Sequence, residues 1–181
     1  MNKNILQYFL LMVLGLLCNC CTSFDFYHNT YENFLHSTVH LPDSVIIVRN
    51  SECMITSLPN DTLRLVYYYD KHECFNCAIV HAYELCNLFD ENNRFIPIIL
   101  FSPKEKQRGI VLQQLLAMNY DFPIYVTEDN DWVKKSSIPR NPSFHFFLLD
   151  KNGTPIFVGD PVRIDGDGDL FIKVLDSSDT Q

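Results

Sequence analysis

Two cysteines set two residues apart, in Cys74-Phe75-Asn76-Cys77, are the side chains of this sequence best suited to chemistry. The run Leu63 to Tyr69 before them is short, apolar and rich in aromatic and branched residues, so it reads as a buried strand. After them, Ala78, Ile79, Ala82, Leu85, Cys86 and Phe89 recur at three- and four-residue spacing, one face of a helix over Ala78 to Phe89. A strand-to-helix junction puts Cys74 at a helix N-terminus, where unpaired amides and the positive end of the dipole favour a thiolate. A thiolate beside a second thiol exchanges disulfides, so the chemistry is redox.

The same spacing also supplies half of many zinc sites, but this chain has no second Cys/His pair at ligand spacing. His72, two residues before Cys74, and His81, four after Cys77, leave a ligand set incomplete, and each reads as an exposed polar histidine. Asp165-Gly166-Asp167-Gly168-Asp169 has the acidic look of a calcium loop, yet Leu170 stands where such a loop needs glycine and Asp176 where it needs a bidentate glutamate. It is expected to be a solvated acidic loop, and neither a metal nor another cofactor is expected.

The elements that must position the thiols follow from the same signals. Phe95 to Phe101 is a second strand, with Pro97 confined to a position whose amide the ladder does not use. Ser102-Pro103 reads as an N-cap and first helical position, leading a helix striped by Val111, Leu112, Leu115 and Leu116 that closes at Asn119. Phe122 to Val126 is a short strand, and Asp131 to Ser136 a helical turn. Ser143 to Leu149 and Pro155 to Val158 form a hairpin around Asp150-Lys151-Asn152-Gly153-Thr154, and Leu170 to Leu175 is a closing helix. Upstream, Thr30 to His36 suits a short helix and Ser44 to Val48 a strand bounded by Arg49-Asn50-Ser51.

Met1 to Asn4 and the apolar stretch Ile5 to Leu17 have the makeup of a signal peptide, too short to span a bilayer comfortably. The stretch ends in Leu16-Leu17-Cys18-Asn19-Cys20-Cys21, which resembles the lipobox of bacterial lipoproteins. The resemblance implies cleavage before Cys20 and lipidation of that residue, although Asn19 departs from the usual small residue and Cys18 and Cys21 stand close by. The chain is then exported and tethered to a membrane by its lipid. With 14 Lys plus Arg against 22 Asp plus Glu, a net charge of -8 and no basic cluster, nucleic acid is excluded as a partner.

Of seven cysteines, Cys53 and Cys86 remain after the signal end and the Cys74/Cys77 pair. A structural disulfide or buried thiols would account for them, and Cys86, on the helical face of Ala82, is expected to be a buried thiol.

The residues from about 62 to 176 resemble a thioredoxin-like protein of the membrane-anchored TlpA/ResA type, and are similar to small Bacteroidetes thioredoxin-like lipoproteins. Three features carry the resemblance: the strand into Cys74-Phe75-Asn76-Cys77; Asn141-Pro142 opening a strand; and the Phe147 to Gly153 hairpin followed by Phe157-Val158-Gly159. It implies an α/β fold with a mixed central sheet flanked by helices on both faces, and an extra strand near Pro123 to Val126. The organisation expected is a signal over 1–20, a spacer with an extra strand over 21–61, the thioredoxin-like domain over 62–176, and a tail over 177–181.

By the same resemblance Cys74 is the nucleophile and Cys77, a turn further in and less exposed, the resolving thiol. Pro142 is expected in cis beside the disulfide, against the plainer reading of a trans turn proline, with Asn141, Phe75 and Asn76 contacting substrate. Two departures stand out. Glu73 replaces the aromatic residue before the first cysteine, opposing a thiolate by like charge, and Tyr68 replaces a buried carboxylate that would accept the Cys77 proton. Phe75-Asn76 lacks both Gly-Pro and the cationic or histidine-bearing dipeptides of strong oxidants, which points to a reductant or isomerase.

The function expected is a lipid-anchored thiol-disulfide oxidoreductase facing the periplasm at the outer membrane. Its partners are exported proteins with cysteines or disulfides and a membrane-side electron donor. The alternative is a binding module with a static Cys74-Cys77 disulfide.

Overall fold

The structure, a computed structural model, describes residues 26–60, 62–70, 74–90, 94–129, 132–162 and 167–178. The signal segment with Cys18, Cys20 and Cys21, together with His72, Glu73, Asp165 and Gly166, lies outside the described residues. The chain divides into two units, Met1–Asn33 and Phe34–Gln181. In the first, the described residues 26–33 are helical, part of helix α1 over 26–35, where Thr30 Oγ1 donates to the Phe26 carbonyl at 2.8 Å.

The second unit holds one seven-stranded sheet in the order β2-β1-β5-β4-β3-β6-β7. Its strands are β1 (Val45–Arg49), β2 (Glu52–Thr56), β3 (Arg64–Asp70), β4 (Ile96–Ser102), β5 (Ile124–Thr127), β6 (Phe146–Leu149) and β7 (Pro155–Val158). Its helices are α2 (Phe75–Asp90), α3 (Glu105–Met118), α4 (Trp132–Lys135) and α5 (Asp167–Ser178), with a 3-10 turn at Pro142–Phe144. β3 runs parallel to β4, and β4 to β5, while β6 pairs antiparallel with β3 and β7 with β6. The sheet is therefore mixed.

Alternation along the strands explains the two covered faces, because successive side chains point to opposite sides. Leu65, Tyr67 and Tyr69 of β3 share one face with Ile99 and Phe101 of β4 and with Phe146 and Leu148 of β6. Ala78, Ile79, Ala82 and Leu85 of α2, Val111 and Leu115 of α3, and Phe171 and Leu175 of α5 pack there. The other face presents Tyr68 and Phe147. Phe34 closes edge-on against Phe147 and Phe144, and Trp132 of α4 against Tyr68. Helices thus lie on both faces, as expected, but the long ones share one side.

Several boundaries differ from the sequence reading. α2 starts at Phe75 rather than Ala78, so both residues between the cysteines are helical. Ser102 stays in β4 and Lys104 stands at the N-cap of α3 without a side-chain cap, because β4 pairs with β3 through Asp70↔Ser102. Asn119 does close α3 in the left-handed conformation, φ 50°. Pro97 lies where the ladder spares its amide: Ile96 N–H bonds to the Leu63 carbonyl, so the next position turns away from β3, and β5 pairing begins only at Ile99.

β2 was not expected at all. Asn50 and Ser51, both at positive φ (51° and 58°), turn β1 straight back into it, as a two-residue hairpin loop requires. The extra strand, β5, joins this hairpin to the rest of the sheet by pairing β1 on one side and β4 on the other.

Candidate functional site

β3 ends at Asp70 and α2 begins at Phe75, so the parallel β3–β4 pair delivers Cys74 to the carboxyl end of the sheet. Cys74 stands just outside the helix: the Ala78 amide donates to its carbonyl at 3.1 Å, closing the first turn. The amides of that turn have no partner within the helix. Two of them, on Asn76 and Cys77, donate to the Cys74 sulfur, and the Cys77 thiol donates as well. Together these donors hold the Cys74 thiol below its ordinary pKa, the bond from the Cys77 thiol counting most.

Cys77 moves the other way. Its proton is committed to Cys74, and a negative charge on Cys74 repels a second one, so its pKa is raised. One thiol is prepared to attack and its neighbour to keep its proton. Part of the support for the thiolate comes from backbone amides at the head of α2, as the position of Cys74 at a helix N-terminus predicts, and the rest from the Cys77 thiol.

Cys74 and Cys77 are both exposed residues. Cys77 falls on the outer side of α2, while Ala78 and Ala82 take the core-facing positions. Cys53 and Cys86 are free too, so no bridge joins them. Cys86 is half-buried against the α2–α3 core, in keeping with a packed thiol, but Cys53 is exposed on edge strand β2, where a buried one was considered.

Phe75 turns inward, its ring 5.5 Å from Phe101. It helps line a shallow groove of about 50 Å³ with Tyr69, Phe101 and Val111, and with Asp70 and Gln107 as polar members. Such a volume suits part of one side chain, since small-molecule pockets run to roughly 300 Å³ or more. Asn76 is exposed beside it.

The Asn141–Pro142 peptide is trans, against the expectation of a cis bond. The reason is local: Asn141 caps the 3-10 turn, its side chain accepting from the Ser143 amide at 3.1 Å, and Pro142 takes the first position, where its fixed φ fits and no amide is needed. β6 accordingly begins at Phe146, not Ser143. β6 runs antiparallel to β3 and the Tyr68 amide bonds to the His145 carbonyl at 2.8 Å, so this exposed turn lies at the same end of the sheet as the thiols.

Tyr68 occupies the face away from α2, with its ring against Trp132 and His145 and its hydroxyl donating to Asp70 Oδ1 at 3.2 Å. The ionisable pair on the α2 side is elsewhere. His81 Nε2 lies 3.0 Å from Asp160 Oδ2, and the imidazole packs edge-on against Tyr67 and Phe146, at 5.0 and 5.6 Å between centroids. His81 is therefore half-buried and paired, not the exposed residue expected.

Asp160 escaped the sequence reading because its partner is far away along the chain. The available signal was Gly159-Asp160-Pro161 directly after β7, a turn pattern. Among the described residues no cluster of three or more metal-binding side chains exists.

Strand order, strand directions and a CxxC helix crossing from β3 to a parallel β4, with an antiparallel hairpin on the far side of β3, define a thioredoxin-like fold. Solved structures similar to this chain include the three that follow. An uncharacterised thioredoxin-like protein from Porphyromonas gingivalis is 13% identical, with a TM-score of 0.46, covering 76% of this chain and 91% of its own. A thioredoxin-like protein from Aeropyrum pernix is 14% identical, with a TM-score of 0.45 and coverages of 87% and 99%. Mycobacterium tuberculosis AhpC is 14% identical, with a TM-score of 0.43 and coverages of 79% and 98%. No protein-family model and no curated protein matches the chain.

Proposed function

We propose that this chain is a thiol-disulfide oxidoreductase that exchanges disulfides with cysteines of exported proteins through Cys74 and Cys77. One observation carries the reading: an exposed Cys74 sulfur at the head of α2 collects hydrogen bonds from two backbone amides and from a second exposed thiol. The Cys74 thiolate attacks a substrate disulfide and expels one substrate sulfur as thiolate. Cys77, deprotonated, then attacks the Cys74 sulfur, forming the Cys74-Cys77 disulfide and releasing the second substrate thiolate. Two electrons pass to the substrate, and a membrane-side dithiol donor restores the pair.

Asn141, Pro142, Phe75 and Asn76 form the surface on which the substrate segment lies. Two features set the direction and oppose each other. The Phe75-Asn76 insert argues for a reductant or isomerase, while the donors on Cys74 stabilise the reduced form and raise the potential. We place the protein on the reductant or isomerase side, anchored through lipid on Cys20 and facing the periplasm from the outer membrane. The signal-like segment and its cysteines support that placement, and no described helix is long and apolar enough to cross a membrane.

Reduction of insulin by the full chain with dithiothreitol tests the reading. Turnover well above that of a Cys74→Ala control is expected, and equality of the two would overturn it. The alternative, a binding module with a static disulfide, draws on Tyr68 standing where a proton acceptor is expected and facing away from α2. A Cys74-Cys77 bond that resists glutathione and dithiothreitol alike would favour that module.

A further inference from the structure

We propose that His81 is the general base that takes the proton from Cys77 during resolution, held for that task by the carboxylate of Asp160. The inference rests on the exchange reaction proposed above. It starts from a need: Cys77 attacks only as thiolate, so once Cys74 is joined to a substrate sulfur the Cys77 proton must go to another acceptor, and the strand position that would carry an acid carries Tyr68, turned to the other face.

His81 meets that need by position. It lies four residues after Cys77 on α2, so the two side chains are neighbours on one stripe, with β-carbons about 5–6 Å apart. Helical side chains lean towards the N-terminus, which carries the imidazole over the turn that holds Cys77. The Asp160 carboxylate takes Nε2 at 3.0 Å, fixing the proton there and leaving Nδ1 to accept one directly or through one water.

The carboxylate and its backbone are each tied down. Asp160 Oδ1 accepts from the Val162 amide at 3.0 Å, and the Asp160 amide donates to Asp167 Oδ2 at 3.2 Å. Gly159 stands at φ +147°, and a β-carbon there would meet Asp167 Oδ2 at 2.7 Å, so the turn demands glycine. Asp160 is a positioning residue, and its side chain is 15% exposed. The groups around His81 are the Asp160 carboxylate from the β7–α5 turn with Asp167 behind it, the Tyr67 and Phe146 rings from β3 and β6, and Cys77 and Glu84 on its own helix.

The step balances as follows. With Cys74 joined to a substrate sulfur, His81 takes the Cys77 proton and the Cys77 electron pair forms the new bond to the Cys74 sulfur. The Cys74–substrate bond breaks, and the departing thiolate receives a proton from the imidazolium or from water. Cys74 and Cys77 are oxidised to a disulfide while the substrate sulfur is reduced.

The test mixes reduced full chain with glutathione disulfide, quenches with iodoacetamide, and counts by peptide mass spectrometry the Cys74–glutathione adduct and the Cys74-Cys77 disulfide. In the native protein the adduct is short-lived. In His81→Gln and in Asp160→Asn it should form at the native rate but persist about 10²-fold and at least several-fold longer, respectively, at pH 7. Near pH 9.5, where an ordinary thiol is mostly ionised unaided, both should recover most of the lost rate, which a merely structural ion pair would not do. Native adduct lifetimes in both variants at pH 7 would overturn the role of His81 and leave the exchange reaction standing. Absence of any adduct on Cys74 in the native protein would sink both.

Discussion

Cys74 at the head of α2 and Cys53 in the β1–β2 hairpin are both exposed, and they differ in the groups that surround the sulfur. Cys74 sits at a helix N-terminus, with amides of Asn76 and Cys77 and the Cys77 thiol directed at its sulfur. Cys53 lies within an edge strand whose backbone already pairs with β1 through Val48↔Cys53, and four of the five β2 residues are exposed. Both are accessible. Only one has donors that stabilise negative charge, so accessibility alone does not make a nucleophile.

The sharpest way to break the comparison is to exchange the losses. Cys74→Ala should reduce insulin turnover by about 10³-fold or more, as loss of a nucleophile does, while Cys53→Ser should leave it unchanged. A comparable fall in both would mean that the hairpin thiol takes part.

The two regions also differ in anchoring. α2 is held by Leu85, 0% exposed among Phe95, Phe171 and Leu175, whereas Ile55 on β2 is 70% exposed. Leu85→Ala should cost about 3 kcal/mol in urea unfolding and Ile55→Ala no more than about 0.5 kcal/mol. Equal costs would mean that the core does not hold the helix as described.

A third measurement follows iodoacetamide alkylation against pH, residue by residue. A lowered pKa leaves more thiolate at a given pH, so Cys74 should reach half-maximal rate at lower pH than an ordinary thiol, and Cys77 at higher pH. Cys77→Ala should move the Cys74 midpoint upward, because it removes the strongest donor, while Cys77→Ser keeps a hydroxyl and should move it less. A Cys74 midpoint that stays put in Cys77→Ala would contradict the coupling.

The smallest effect concerns the turn after β7. Gly159→Ala introduces a β-carbon at a positive φ and against Asp167, for a cost of about 1–2 kcal/mol. Loss of stability with no change in the lifetime of the Cys74 adduct would separate the backbone strain from the Asp160–His81 pair.

Local patterns made much of this molecule legible. The short apolar run Leu63 to Tyr69 and the three-four spacing from Ala78 onward report burial, and β3 and α2 form there, α2 starting three residues earlier than that spacing predicts. The loop between β6 and β7 was equally plain: Asp150 Oδ1 accepts from the Asn152 and Thr154 amides, both at 2.8 Å, and Gly153 takes φ +85°. Edge strand β2 was not legible, because a strand exposed on both faces has no burial pattern and its turn uses Asn50-Ser51 instead of a glycine. Pro142 was misread because an X-Pro step before a strand suits either isomer, and the cap on the Ser143 amide belongs to the trans turn.

The amino-acid sequence determined the spacing of the two sulfurs and the strand and helix on either side of them, since hydrophobic periodicity and helix-end chemistry act over a few residues. Only tertiary structure decided which donors converge on Cys74, that Tyr68 faces away from α2, and that Asp160 meets His81. Those outcomes depend on how the sheet brings distant segments together, and no local preference encodes the approach of a β7–α5 turn to the flank of a helix so far from it along the chain.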